Sequence, residues 1–136
     1  MTTPDPRTDS KKAAGIPDSV SRAIRAALDK KAVDLVALDL RHLASFTDFF
    51  VICSGQNVRQ VQAIADAVEE ALRREQVRPA HVEGYERAEW VLLDYFDFVV
   101  HVFGTERRAF YALERLWGSA HRVALPEEAA PPRTRD

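Results

Sequence analysis

Five consecutive apolar residues, Phe49-Phe50-Val51-Ile52-Cys53, run without alternation, a pattern that marks a β-strand covered on both sides. The break at Ser54-Gly55-Gln56-Asn57 leads into Val58, Val61, Ile64, Ala65, Val68 and Leu72, whose 3.6-residue period predicts a helix. Asn57 is placed to cap it with Gln60 three residues on, and the helix should reach about Glu75. Upstream, Val20, Ile24, Ala27 and Leu28 fall on one helical face, so a first helix should run from Pro17 or Asp18 to about Lys31. Val36, Leu38 and Leu40 then alternate with Ala37 and Asp39 as in a strand with one better-buried face, and a loop follows from His42 to Thr47.

Downstream, a short strand is expected near Ala80–Glu83, and Trp90–Tyr95 with Phe98–Phe103 should pair as a hairpin across a tight turn. Thr105 should cap a last helix with Phe110, Leu113, Leu116 and Trp117 on its face, ended by Gly118. Helices interspersed with strands in this order predict an α/β fold, a mixed sheet flanked by helices.

A chain of 136 residues holds one core of ordinary size. Residues 16–122 are expected to form it, with 1–15 and 123–136, rich in Pro and charge and lacking apolar period, as solvated tails. Cys53 is the only cysteine, so no internal disulfide can form and a reducing cytoplasm is the expected location. No apolar run approaches the ~20 residues of a membrane span. Net charge is -2 for the whole chain. Residues 16–122 give the same value, 14 Lys+Arg against 16 Asp+Glu. Direct nucleic-acid binding is thereby disfavoured, since each phosphate contact recruits a cation.

The candidates for chemistry weigh poorly against structural roles. His42, His81, His101 and His121 lie at least 20 residues apart without paired spacing, which does not suit a zinc site. Cys53 with His101 as base could make a nucleophile, but a cysteine inside an apolar strand is more often a small packed hydrophobe. His101, within Val99-Val100-His101-Val102-Phe103, reads as a satisfied structural histidine. Gly55 stands alone where a phosphate loop needs several glycines. A two-metal nucleotidyltransferase is the main enzymatic rival, but Asp94 and Asp97 are three apart and straddle the hairpin turn, whereas strand residues share a face at spacing two.

One stretch stands apart. Glu83, Glu86, Glu89, Asp94 and Asp97 face a single Arg87, with Tyr85, Trp90, Tyr95 and Phe96 interleaved. An acidic, aromatic surface of this kind suits a basic protein partner, and the alternative is a solvated loop beside core aromatics.

Thr47 through Gly55, then Arg59-Gln60-Val61, Ala63-Ile64-Ala65, Glu83-Gly84, Trp90, Asp94, Asp97, Val100-His101-Val102 and Tyr111 through Leu113-Glu114-Arg115-Leu116-Trp117 resemble, in order, the ribosomal silencing factors, also called Iojap-like proteins. The resemblance runs from about Val20 to His121. It implies a domain of nucleotidyltransferase-like shape without the catalytic carboxylates, hence no enzyme, cofactor or metal. It implies binding to the large ribosomal subunit through large-subunit ribosomal protein fourteen, at the surface that meets the small subunit. Occupancy there would block subunit joining and repress translation; a part in large-subunit maturation and self-association as a homodimer are implied as well. Combined with the acidic aromatic stretch, it makes Glu83, Tyr85, Trp90, Asp94, Phe96 and Asp97 the expected partner-binding residues, Trp90 as anchor. Phe96 departs from the family, which often has glycine at this point of the hairpin; a turn with positive φ is costly for Phe.

Overall fold

The structure is a computed structural model that describes residues 15–43, 46–104 and 120–125. Its elements are α1 (Asp18–Asp29), β1 (Val33–Asp39), β2 (Phe49–Gly55), α2 (Val58–Arg73), β3 (His81–Glu83), β4 (Trp90–Asp94), β5 (Phe98–Gly104) and β6 (His121–Arg122). The strands form one mixed sheet in the order β3-β4-β5-β2-β1-β6. β2 and β5, the two apolar runs, lie in parallel at its centre, and the other pairings are antiparallel. Every residue of β2 is buried, as its unbroken pattern predicts.

Pairing across the sheet sorts the side chains into two faces, because directly opposed residues point to the same side. Phe49, Val51, Cys53, Val91, Leu93, Val100 and Val102 join Val20, Ile24, Ile64, Val68 and Leu72 of the helices in the main core. Leu38, Leu40, Phe50, Ile52, Val99 and Phe103 make a second cluster on the face turned away from α1 and α2. β1 therefore feeds both: Leu35 and Ala37 face the helices, whereas Leu38 and Leu40 face away.

Local signals account for the element ends. Asn57 Oδ1 accepts from the Gln60 amide at 2.8 Å, the cap that its side chain suits. The Gln60 side chain donates to the Lys30 and Lys31 carbonyls at 3.1 and 3.0 Å, tying the start of α2 to the end of α1. β1 begins three residues before the alternating stretch, at Val33. Its register slips between Val33 and Val36 around Asp34, which has φ 53°, and an irregularity of that kind interrupts the two-residue period.

At the other end of the chain the expected tail boundary moves. Val123 and Leu125 are 8% and 7% exposed and belong to the main core. The Val123 amide donates to the Ala37 carbonyl at 2.8 Å, continuing the pairing of β6 with β1. Residues 123–125 are thus part of the packed unit, while 1–14 and 126–136 lie outside the described residues. The helix expected from Thr105 to Gly118 also lies outside them.

The β4–β5 hairpin turns through Phe96-Asp97, with the Tyr95 amide donating to the Phe98 carbonyl at 2.9 Å. The Asp97 amide donates to the Tyr95 carbonyl at 2.9 Å around Phe96, which has φ 75°, the geometry of a γ-turn with positive φ, strained for any residue but glycine. The backbone of Phe96 is held from both sides: its amide donates to Asp94 Oδ1 at 2.8 Å and its carbonyl accepts from Thr47 Oγ1 at 3.0 Å. A left-handed non-glycine residue costs roughly 1–2 kcal/mol, part of which glycine returns as unfolded-state entropy. Phe96→Gly is therefore expected to stabilise the domain by about 1 kcal/mol, a rise in melting temperature of roughly 4 °C by calorimetry.

Candidate functional site

The six residues expected at the partner surface divide three ways. Glu83 pairs with Leu92 across β3 and β4, and His81 pairs with Asp94. Trp90, Leu92 and Asp94 therefore share one face of β4, and Glu83 joins them from the edge strand. This is the face away from the helices, since Leu92 packs on the second cluster. Phe96 and Asp97 sit at the hairpin tip, where Phe96 is 76% exposed and the Asp97 carbonyl accepts from the Asp48 amide at 2.9 Å. Tyr85 goes elsewhere. It packs against the main core, its hydroxyl donates to Asp66 Oδ2 at 3.0 Å, and its carbonyl accepts from the Gln62 side chain at 2.9 Å. The hydrogen bond to Asp66 pushes the Tyr85 phenol above its ordinary value. Tyr85 thus clasps the loop between β3 and β4 to α2.

Trp90 is the largest exposed side chain of the shared face, 43% exposed. Its indole lies over Phe103, ring centroids 5.1 Å apart, and beside His101 at 5.9 Å. The indole N–H donates to His101 Nδ1 at 3.1 Å. Phe50 meets the same imidazole edge-on at 4.5 Å, and Phe46, 66% exposed, leans on Phe50 at 6.0 Å. An aromatic row thus crosses the sheet from Phe46 to Trp90. Sequence reasoning set His101 aside and did not raise Phe46; strand register brings His101 beside Trp90, and contact with Phe50 joins Phe46 to the same row. Charge at the β3 edge is partly internal, because Glu83 contacts His81 Nε2 at 2.7 Å.

Burial lowers the His101 pKa to about 4 from 6.5, so the ring is neutral at physiological pH. With Nδ1 accepting from the indole, its proton belongs on Nε2. A depressed folded value means that the unfolded chain takes up the proton first as pH falls. Stability from this site is complete above about pH 6.5 and declines towards about pH 4, by roughly 3 kcal/mol in all. Urea-unfolding free energies measured across this range are expected to fall steeply in the wild type and less steeply in His101→Phe.

Cys53 is fully buried. The Asp94 carboxylate holds the Phe96 amide. Among the described residues no three of His, Cys, Asp and Glu cluster as a metal would require, and no helix is long and apolar enough to cross a membrane. A groove between α1 and α2 is lined by Ala26, Ala63, Ala67 and Ala71 with charges of both signs at its rim, and it gathers no convergent polar set.

Comparison with known proteins gives one consistent result. The family model described as ribosomal silencing factor during starvation matches residues 13–136. A ribosomal silencing factor of Halalkalibacterium halodurans is 46% identical over 103 residues, covering 76% of this chain and 88% of its own. That of Bacillus subtilis is 42% identical, covering 68% and 78%. A chloroplastic Iojap protein of Zea mays is 32% identical over 90% of this chain and 54% of its own. Among solved structures, a Bacillus halodurans protein superimposes with TM-score 0.70 at 42% identity, covering 78% of this chain and 96% of that one. A Chromobacterium violaceum protein gives TM-score 0.70 at 34% identity, covering 83% and 97%.

Proposed function

The chain belongs to the ribosomal silencing factor family, and from that premise we propose that it binds the large ribosomal subunit through large-subunit ribosomal protein fourteen and sterically blocks joining of the small subunit. The action needs no catalysis: occupying the surface at which the subunits meet is enough to repress translation. A contribution to large-subunit maturation would use the same contact. The observation that points to a surface is the half-exposed Trp90, supported from beneath by Phe103 and His101. Large aromatics on a preordered platform are the usual energetic centres of protein interfaces.

Around this anchor the proposed contact takes in Glu83 and Asp94 on the same face and Phe96 with Asp97 at the hairpin tip. Tyr85 is moved from contact to support of the β3–β4 loop, given its bonds to α2. Ribosomal proteins are commonly basic, and net charge -2 with no basic excess favours contact with protein over ribosomal RNA.

Co-sedimentation with purified ribosomal particles tests the reading. The protein should travel with free large subunits at about one copy each and be absent from joined ribosomes; recovery with neither contradicts it. The electrostatic part has its own consequence. Glu83→Lys combined with Asp97→Lys should slow association with large subunits about tenfold in low salt, and raising the salt should slow the wild type and narrow the gap. Stopped-flow or surface-binding rates measure both.

A further inference from the structure

Resting on the reading of Trp90 as the anchor, we infer that His101 is a positioning residue, whose imidazole Nδ1 fixes the Trp90 indole on the sheet in the orientation that meets the partner. The strand register sets this up. Leu92 pairs with His101 and Trp90 with Phe103, so Trp90 and His101 are diagonal neighbours on one face, within reach of long side chains. The indole N–H spans the diagonal to Nδ1 at 3.1 Å. Below it the His101 and Phe103 rings are close to parallel, 6° apart at 6.2 Å, and Phe50 closes on the imidazole edge-on. The imidazole is thus walled in at 4% exposure, while the indole it holds is 43% exposed.

A residue that only filled this space would be better apolar, like Val99, Val100 and Val102 around it. Burying an imidazole carries a desolvation penalty, and among the described residues Nε2 has no hydrogen-bond partner. Among the described residues the one side-chain bond that the ring makes goes to Trp90. Neutrality, enforced by burial, is what leaves Nδ1 free to accept. Without that acceptor the indole retains its stacking on Phe103 but can swing about its side-chain torsions, and binding must then order it.

Affinity for purified large subunits, measured for Trp90→Phe, His101→Phe and the double variant, tests the inference as a cycle. Trp90→Phe keeps an aromatic plane without an N–H, and His101→Phe keeps a buried ring without an acceptor. Each single variant is expected to weaken binding about three- to tenfold, and the double variant no more than the worse single one. Multiplying effects, or wild-type binding by His101→Phe, overturn the inference. If Trp90→Ala weakens binding while His101→Phe does not, only the positioning role fails; if Trp90→Ala also binds like the wild type, the contact surface has failed and the positioning role falls with it.

Nitrogen and indole-proton resonances of the free wild-type protein give a readout that does not depend on the folding of any His101 variant. An unprotonated Nδ1 and a Trp90 indole proton protected from exchange support the inference. A proton on Nδ1, or a freely exchanging indole, overturns it.

Discussion

Trp90→Ala should weaken binding to free large subunits at least thirtyfold while the domain stays folded. Truncating a buried interface aromatic typically costs 2 kcal/mol or more, and about 1.4 kcal/mol is a factor of ten. In the free protein nearly half of this side chain is already in solvent, 43% exposed, so its removal takes less from the core than the loss of Phe103 beneath it, which is fully buried. The effect should therefore appear mainly in dissociation from the subunit. Circular dichroism and a melting curve of the variant provide the control: a folded protein with intact affinity places the contact elsewhere, with Asp48 and the exposed side of α2 around Arg59 next in order.

Gly84→Ala should cost about 3 kcal/mol or more in stability and disturb Trp90 from behind. Gly84 has φ +80°, and a Cβ built there lies 2.1 Å from the Trp90 carbonyl oxygen. A left-handed alanine alone costs roughly 1–2 kcal/mol. The clash is with main chain, which cannot rotate away as a flexible side chain would, so the first residue of β4 must move. Gly104→Ala is the matched control, since among the described residues its added Cβ meets only the Ala88 carbonyl at 3.7 Å, an ordinary contact. Thermal unfolding should show a drop of more than 10 °C for the first variant and almost none for the second.

These consequences depend on features of unequal legibility. The central strands could be read because a strand covered on both faces has nothing polar to hide, and Phe49–Cys53 says so residue by residue. The cap of α2 could be read because Asn57 and Gln60 act within one turn. What depends on distant register could not. Whether Tyr85 faces a partner or α2 is decided by Asp66 and Gln62, some twenty residues earlier, and no local pattern around Tyr85 encodes them. His101 is buried and its Nδ1 is hydrogen-bonded, but it is not the satisfied histidine expected, since Nε2 has no partner among the described residues, and the identity of the Nδ1 partner follows only from the pairing of β4 with β5. β6 spans two residues, too few for any period, and the Pro and charge that follow it mask the burial of Val123 and Leu125. The departure from the family's glycine at Phe96 left the turn type open, and it is the structure that gives Phe96 its φ of 75°.

The face that results has a simple physical logic for the proposed blocking role. Among the described residues α1 and α2 pack on one side of the sheet, and the other carries an aromatic row in which Trp90 and Phe46 are exposed, with acids at its edge and tip. Such a surface can dock without reorganising, so little of its interaction energy is consumed in ordering it. Light scattering of purified small and large subunits, mixed with and without the protein, tests the central claim most directly. The account predicts that joining falls in proportion to the large subunits occupied, approaches zero at saturation, and is restored when Trp90→Ala replaces the wild type at the same concentration. Joining at an undiminished rate and extent while the protein remains bound to the large subunit would contradict it.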